Sequence, residues 1–127
     1  MPDFKKYYLV PAPPEEVYQA LTNPLALELW TGSPAQFEAV PGTEFSLWDG
    51  DIVGKNLEFI PDTLIRQQWY FGDKEPPSVV TFQLHPHKKG TSVELSHTNI
   101  PEDDFDLITE GWTETWFDSL IAFFRES

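Results

Sequence analysis

The chain has 127 residues, 21 of them acidic and 8 basic, for a formal net charge of -13. That excess of carboxylates excludes nucleic acid as a partner, because a phosphate backbone needs a basic face, and it disfavours an anionic membrane surface as well. Without cysteine there are no disulfides and no thiol catalysis, while 15% aromatic residues point to one real core rather than a disordered chain.

In chain order, residues 4–10 read as a first strand rich in Tyr and Val. Pro11-Ala12-Pro13-Pro14 stops it, and Pro14 can open a helix because its missing N–H costs nothing in the first turn. Val17, Ala20 and Leu21 give that helix an apolar face, and Asn23-Pro24 ends it. A second short helix over residues 25–30 carries Leu25, Leu29 and Trp30. Nothing in the first 16 residues has the apolar length of a signal peptide or a membrane span, so the chain reads as a soluble cytoplasmic protein.

From residue 35 the period changes to two. Residues 36–39 alternate, Pro41-Gly42 turns the chain, and Phe45 and Leu47 share one face of the next strand. Asp49-Gly50 predicts a tight hairpin turn. Residues 52–60 form a strand with an irregular pattern around Gly54, where a bulge is expected. Ile65, Gln67, Trp69 and Phe71 share a face of the following strand; residues 72–78 form a polar loop; Val80, Phe82 and Leu84 alternate. A turn is expected over residues 85–90, then Val93, Leu95 and His97 alternate in the last strand. Beyond Pro101, apolar residues recur at Phe105, Ile108, Trp112, Trp116, Leu120 and Phe123, widened by Phe117, Ile121 and Phe124. This predicts one amphipathic helix over residues 103–126, its acidic start at Glu102, Asp103 and Asp104 complementing the helix dipole.

A strand, two helices, about six strands joined by hairpins and one long helix make an α+β arrangement with an antiparallel sheet, in one domain spanning residues 1–127. The order resembles the helix-grip fold of START and Bet v 1-like proteins. Pro14-Glu15-Glu16-Val17-Tyr18-Gln19-Ala20-Leu21-Thr22 with Trp30-Thr31, then Phe45-Ser46-Leu47-Trp48-Asp49-Gly50 with Gly54, Glu58, Pro61 and Trp69, narrow the likeness, as do Gly90-Thr91, Ile100-Pro101 and Gly111-Trp112 with Phe117. Together they resemble the C-terminal domain of the activator of Hsp90 ATPase homologues. The eukaryotic activator has an additional N-terminal domain that makes its principal chaperone contact, and 127 residues are too few to contain it. The resemblance therefore implies a module that binds an apolar small molecule, with an Hsp90-type chaperone as the alternative partner; some relatives of the fold are cyclases or hydrolases. For a chaperone contact, the exposed candidates are Asp49 and Asp51 and the loop over residues 73–77.

The candidate ligand-binding set is Phe45, Leu47, Gln67, Trp69, Phe71, Phe82, Leu84, His97, Trp112 and Trp116. Two readings stand: a cavity between sheet and helix, or a packed core that needs aromatics at the same periods. Gln67 and His97 lie on apolar strand faces, where a buried amide or imidazole must find a partner. Gly111 inside the helix predicts a close approach to the sheet or a kink beside the cavity, unless the helix starts after it. Catalytic motifs are lacking, no cofactor is implied, and the reading is of a non-enzymatic protein. A pair such as Glu58 with His97 could serve as acid and base if both faced the cavity. His85 and His87, without a third ligand at useful spacing, make a poor metal site.

Overall fold

The alternation of apolar and polar residues becomes one buried sheet face and one wetter face. The computed structural model describes residues 2–71 and 77–126, so most of the polar loop expected after Phe71, and of its candidate contact surface, lies outside the described residues. The strands are β1 (Phe4–Val10), β2 (Glu44–Leu47), β3 (Ile52–Ile60), β4 (Leu64–Trp69), β5 (Ser78–His87) and β6 (Gly90–Thr98). They form one antiparallel sheet in the order β1-β6-β5-β4-β3-β2. Helices α1 (Pro14–Thr22) and α2 (Pro24–Thr31) follow β1, and a helical run closes the chain. Val80, Phe82 and Leu84 from β5 and Val93, Leu95 and His97 from β6 all point into the core and are 4% exposed or less. Burying an aliphatic or Phe side chain of this kind contributes about 1.5–3 kcal/mol.

Several expectations are corrected. Residues 36–39 do not form a strand; Gln36 makes one isolated bridge to Ser46. The expected turn over His85-Pro86-His87 is strand, and β5 continues to His87 opposite Gly90. Proline is tolerated there because β4 pairs with β5 only as far as Gln83, so Pro86 has a neighbour on one side alone. The irregularity in β3 falls between Asn56 and Glu58 rather than at Gly54. Gly54 has a different reason to be glycine: an added Cβ would stand 2.1 Å from the Gln68 carbonyl oxygen and 2.9 Å from the Phe45 ring. On α2 the buried residues are Leu27 and Trp30, while Leu25 and Leu29 are exposed. Asn23 caps this helix by accepting from the Leu25 and Ala26 amides, and Trp30 donates its indole N–H to the Ala20 carbonyl, tying α2 to α1.

The closing run is continuous but not uniform. A 3-10 turn (Glu102–Asp104) leads into α3 (Phe105–Gly111), then a π-helical segment (Trp112–Phe117), then α4 (Asp118–Arg125). The π register appears where the Asp118 amide donates to the Thr113 carbonyl, five residues back. In a regular α-helix, residues five apart diverge by about 140° around the axis. The wider turn brings Phe117 back over Trp112, so Trp112, Trp116 and Phe117 are all buried. Phe117 stacks on Tyr8 of β1 with centroids 3.8 Å apart, and the Tyr8 hydroxyl meets Thr113 Oγ1 at 2.8 Å. These contacts fix the helix across the sheet. No helix among the described residues is long and apolar enough to cross a membrane.

Candidate functional site

Two elements diverge at one end of the sheet: the β2–β3 loop and the first turns of the closing helix. Leu47 pairs with Ile52, which leaves a four-residue loop rather than the expected two-residue turn. Within it Trp48, Asp49 and Gly50 all have positive φ, at 51°, 54° and 96°. Asp49-Gly50 behaves as its sequence predicts, but a left-handed tryptophan is an outlier for so bulky a side chain. That conformation accompanies contact of the Trp48 ring with Trp30 at 5.6 Å, nearly edge-on, and with Trp116 at 5.4 Å.

Between the loop and the helix lies a pocket of about 270 Å³. Its walls are Trp48, Trp69, Phe71, Ile108, Trp112 and Trp116, with Asp51, Ile52, Val53, Tyr70, Leu107, Gly111 and Thr115 completing the rim. Gly111 lies inside the helix, and a Cβ there would meet nothing within 4 Å. Its lack of a side chain keeps the space open; it does not serve a close approach to the sheet, nor does the helix start after it. Leu107 is 75% exposed on the lip.

Of the ten candidate ligand-binding residues, the structure brings Trp69, Phe71, Trp112 and Trp116 to this pocket. Phe45, Leu47, Phe82 and Leu84 are instead packed in the core, at 4% exposure or less. Gln67 and His97 are also interior, and their partners are protein groups. Trp69 donates its indole N–H to Gln67 Oε1 at 3.0 Å, and Gln67 Nε2 donates to Asn56 Oδ1 at 3.3 Å. Trp112 donates to His97 Nδ1 at 3.0 Å, and His97 Nε2 lies 2.7 Å from Ser78 Oγ. Since Nδ1 accepts, the neutral ring carries its proton on Nε2 and donates to Ser78, whose hydroxyl donates onward to the Thr98 carbonyl at 3.2 Å. Burial lowers the His97 pKa from 6.5 to about 4, with Asp3 pulling weakly the other way. The two polar points thus anchor two pocket tryptophans from behind.

Trp116 differs. Among the described residues, its Nε1 is the buried side-chain donor with no hydrogen-bond partner. The ring is surrounded by Trp30, Trp48, Trp69, Phe82 and Trp112, with centroids 4.9 to 5.8 Å away.

The Glu58–His97 acid–base pairing is ruled out. Glu58 forms an ion pair with Arg66, both about two-fifths exposed, while His97 is fully buried. His85 pairs with Glu94 on the outer face, and no group of three potential metal ligands occurs among the described residues. Sequence reasoning missed Trp48, Asp51, Ile52, Val53, Tyr70, Leu107, Ile108 and Thr115 as pocket residues; Trp48 beside Asp49-Gly50 was the available clue, since a tryptophan in a hairpin loop has little reason to be there unless it covers something.

A family profile described as activator of Hsp90 ATPase homolog 1-like protein matches residues 11–125. The chain belongs to that family. It is 32% identical over 118 residues to an activator of 90 kDa heat shock protein ATPase homolog from Dictyostelium discoideum, covering 90% of this chain and 30% of that protein. It is 27% identical over 109 residues to the mouse homolog 1, covering 84% of this chain and 32% of the relative. The chain therefore spans about a third of the length of these relatives. Among solved structures, an HSP90 activator from Plasmodium falciparum superposes with a TM-score of 0.87 at 26% identity, covering 96% of this chain and 95% of the other. The curved antiparallel sheet with a long C-terminal helix is the helix-grip arrangement of these activator homologues.

Proposed function

We propose that this activator-homologue domain binds a small apolar molecule in the pocket between the β2–β3 loop and the closing helix. The supporting observation is the pocket itself: aromatic walls, a few polar groups at the rim, and Gly111 on the lining, where an added Cβ would meet only open space. Ligand sites are mostly apolar with few polar groups, and about 270 Å³ suits a small ligand. Four of the five tryptophans line it, so tryptophan emission reports occupancy. A panel of neutral aromatic and aliphatic compounds, read by emission and amide shifts, is expected to give saturable binding that Gly111→Leu abolishes. No saturable change from any compound would remove this reading.

A second reading is favoured by what the relatives are called: a module contacting an Hsp90-type ATPase. These 127 residues alone are expected to leave the rate of such an ATPase unchanged at equimolar ratio, because the curated relatives extend well beyond the matched region. A clear rate increase would promote the chaperone reading over the ligand reading.

A further inference from the structure

Building on the pocket as a ligand site, we propose that its ligand is cationic: an apolar amine or quaternary ammonium whose charged head lies among the tryptophans. The pocket wall carries four indoles and one phenyl ring, far more aromatic surface than a merely greasy site requires. Indole is the side chain whose ring quadrupole attracts a cation most strongly. Among the described residues, Asp51 is the one carboxylate on the lining, and no Lys, Arg or His contributes to it. The remaining ionisable group, Tyr70, has its pKa raised by burial and by the Glu44 carboxylate its hydroxyl meets at 3.1 Å, so it stays neutral. An anionic head such as a fatty acid carboxylate would meet Asp51 with no countercharge on the lining among the described residues.

The loop geometry points the same way. Trp48 and Asp51 both reach the pocket from a loop with three successive positive φ values. Holding a tryptophan in that conformation is unfavourable for the free backbone. Strain of this kind persists where the surroundings over-determine it, and here the strained residue supplies an aromatic wall beside the lone carboxylate.

The net charge of -13 attracts any cation to the surface, so the test must separate pocket from surface. Phenyltrimethylammonium, its neutral isostere tert-butylbenzene and the anion benzenesulfonate are titrated at about 0.15 M salt, where long-range attraction is screened. Amide shifts and tryptophan emission are followed. The cation is expected to bind about 2- to 30-fold tighter than the isostere. Asp51→Asn should weaken the cation by about 2- to 5-fold and leave tert-butylbenzene unchanged. Asp49→Asn, the same charge change in the same loop but off the pocket lining, should alter neither. Gly111→Leu should abolish both, its fold checked by the amide spectrum. If the isostere or sulfonate matches the cation, and Gly111→Leu removes their binding, the pocket reading stands and the headgroup inference falls. Cation binding that survives Gly111→Leu, or responds equally to Asp49→Asn, is surface attraction and overturns the inference. No binding by any probe overturns both.

Discussion

Protonating His97 should unlock the back of the pocket. In the folded chain the neutral imidazole accepts from Trp112 and donates to Ser78. A second ring proton on Nδ1 would face the Trp112 N–H, turning a hydrogen bond into two opposed donors. The fully buried ring, with Trp69, Phe71 and Trp112 within about 6 Å, offers no room for water to compensate. Burial accordingly lowers the pKa from 6.5 to about 4. As pH falls through 6.5 the unfolded chain takes up the proton and the folded chain does not. The unfolded state therefore binds more protons, and stability falls with pH. The contribution is complete above pH 6.5, and at 1.36 kcal/mol per pH unit about 3 kcal/mol of it is lost by pH 4. Measurement should stop at pH 5, because the isoelectric point near 4.3 invites precipitation. There the expected loss is about 2 kcal/mol.

Other carboxylates also titrate, so the assay is a comparison. Urea denaturation of the wild type and His97→Gln is run at pH 7.5 and pH 5. Glutamine can accept from Trp112 and donate to Ser78 but does not ionise. The stability gap between the two proteins should shift by about 2 kcal/mol towards the variant at the lower pH. Parallel pH profiles, or His97 imidazole resonances (assigned by their absence from His97→Gln) titrating near 6.5 in the folded wild type, would refute the reasoning.

Gly111→Ala is expected to raise stability by up to about 1 kcal/mol, since alanine is the better helix former and its methyl meets nothing, while weakening ligand binding measured in parallel. Gly54→Ala should cost at least about 1–3 kcal/mol in urea denaturation, because its methyl collides with backbone oxygen and the Phe45 ring. Trp112→Phe should destabilise more than Trp116→Phe by about 1–3 kcal/mol: the first strands the buried His97 Nδ1, while the second removes a donor that already lacks a partner. Trp116→Ala should cost on the order of 3–5 kcal/mol where it leaves a void, and should change ligand preference in the emission titration.

The fold was legible because its determinants are periodic. Alternation at Phe45, Leu47, Val80, Phe82, Val93 and Leu95 set the buried sheet face, and the aromatic stripe of the last helix set the surface that covers it. The limits of periodicity are equally clear. It marked Leu25 and Leu29 as apolar, but the direction of α2 decided that Leu27 faces inward. It marked Gln67 and His97 as buried polar groups without naming partners, because most of those partners sit on other elements: Asn56 on β3, Ser78 on β5, Trp112 on the helix; Trp69, two residues along β4 from Gln67, is the local exception. The π segment left no trace in the pattern, since Trp112 and Trp116 share a face in either register.

The position of the gap follows from those same partners. The candidate residues put the expected cavity between sheet and helix, where Trp112 and Trp116, one helical turn apart, face Trp69 and Phe82. Those rings pack together: Trp69 stacks on Trp112 at 4.9 Å and Phe82 on Trp116 at 5.7 Å. The π turn adds Phe117 to the same face, so the centre closes around five aromatic rings. What remains open is the margin, where β2 is only four residues long and the helix has reached Gly111. A short edge strand cannot cover the first helical turns, and a glycine there cannot fill the difference. Trp48, turned inward from the loop, closes one side of the space and leaves the other facing solvent past Leu107 and Asp51. Trp69 and Trp112 are held from behind by Gln67 and His97, while the loop carrying Trp48 rests on aromatic contacts with Trp30 and Trp116 and on the Asp49 amide donating to the Pro34 carbonyl. A ligand entering from the margin would therefore meet an inner wall whose Trp69 and Trp112 are hydrogen-bonded from behind, and an outer wall, Trp48, set by ring contacts.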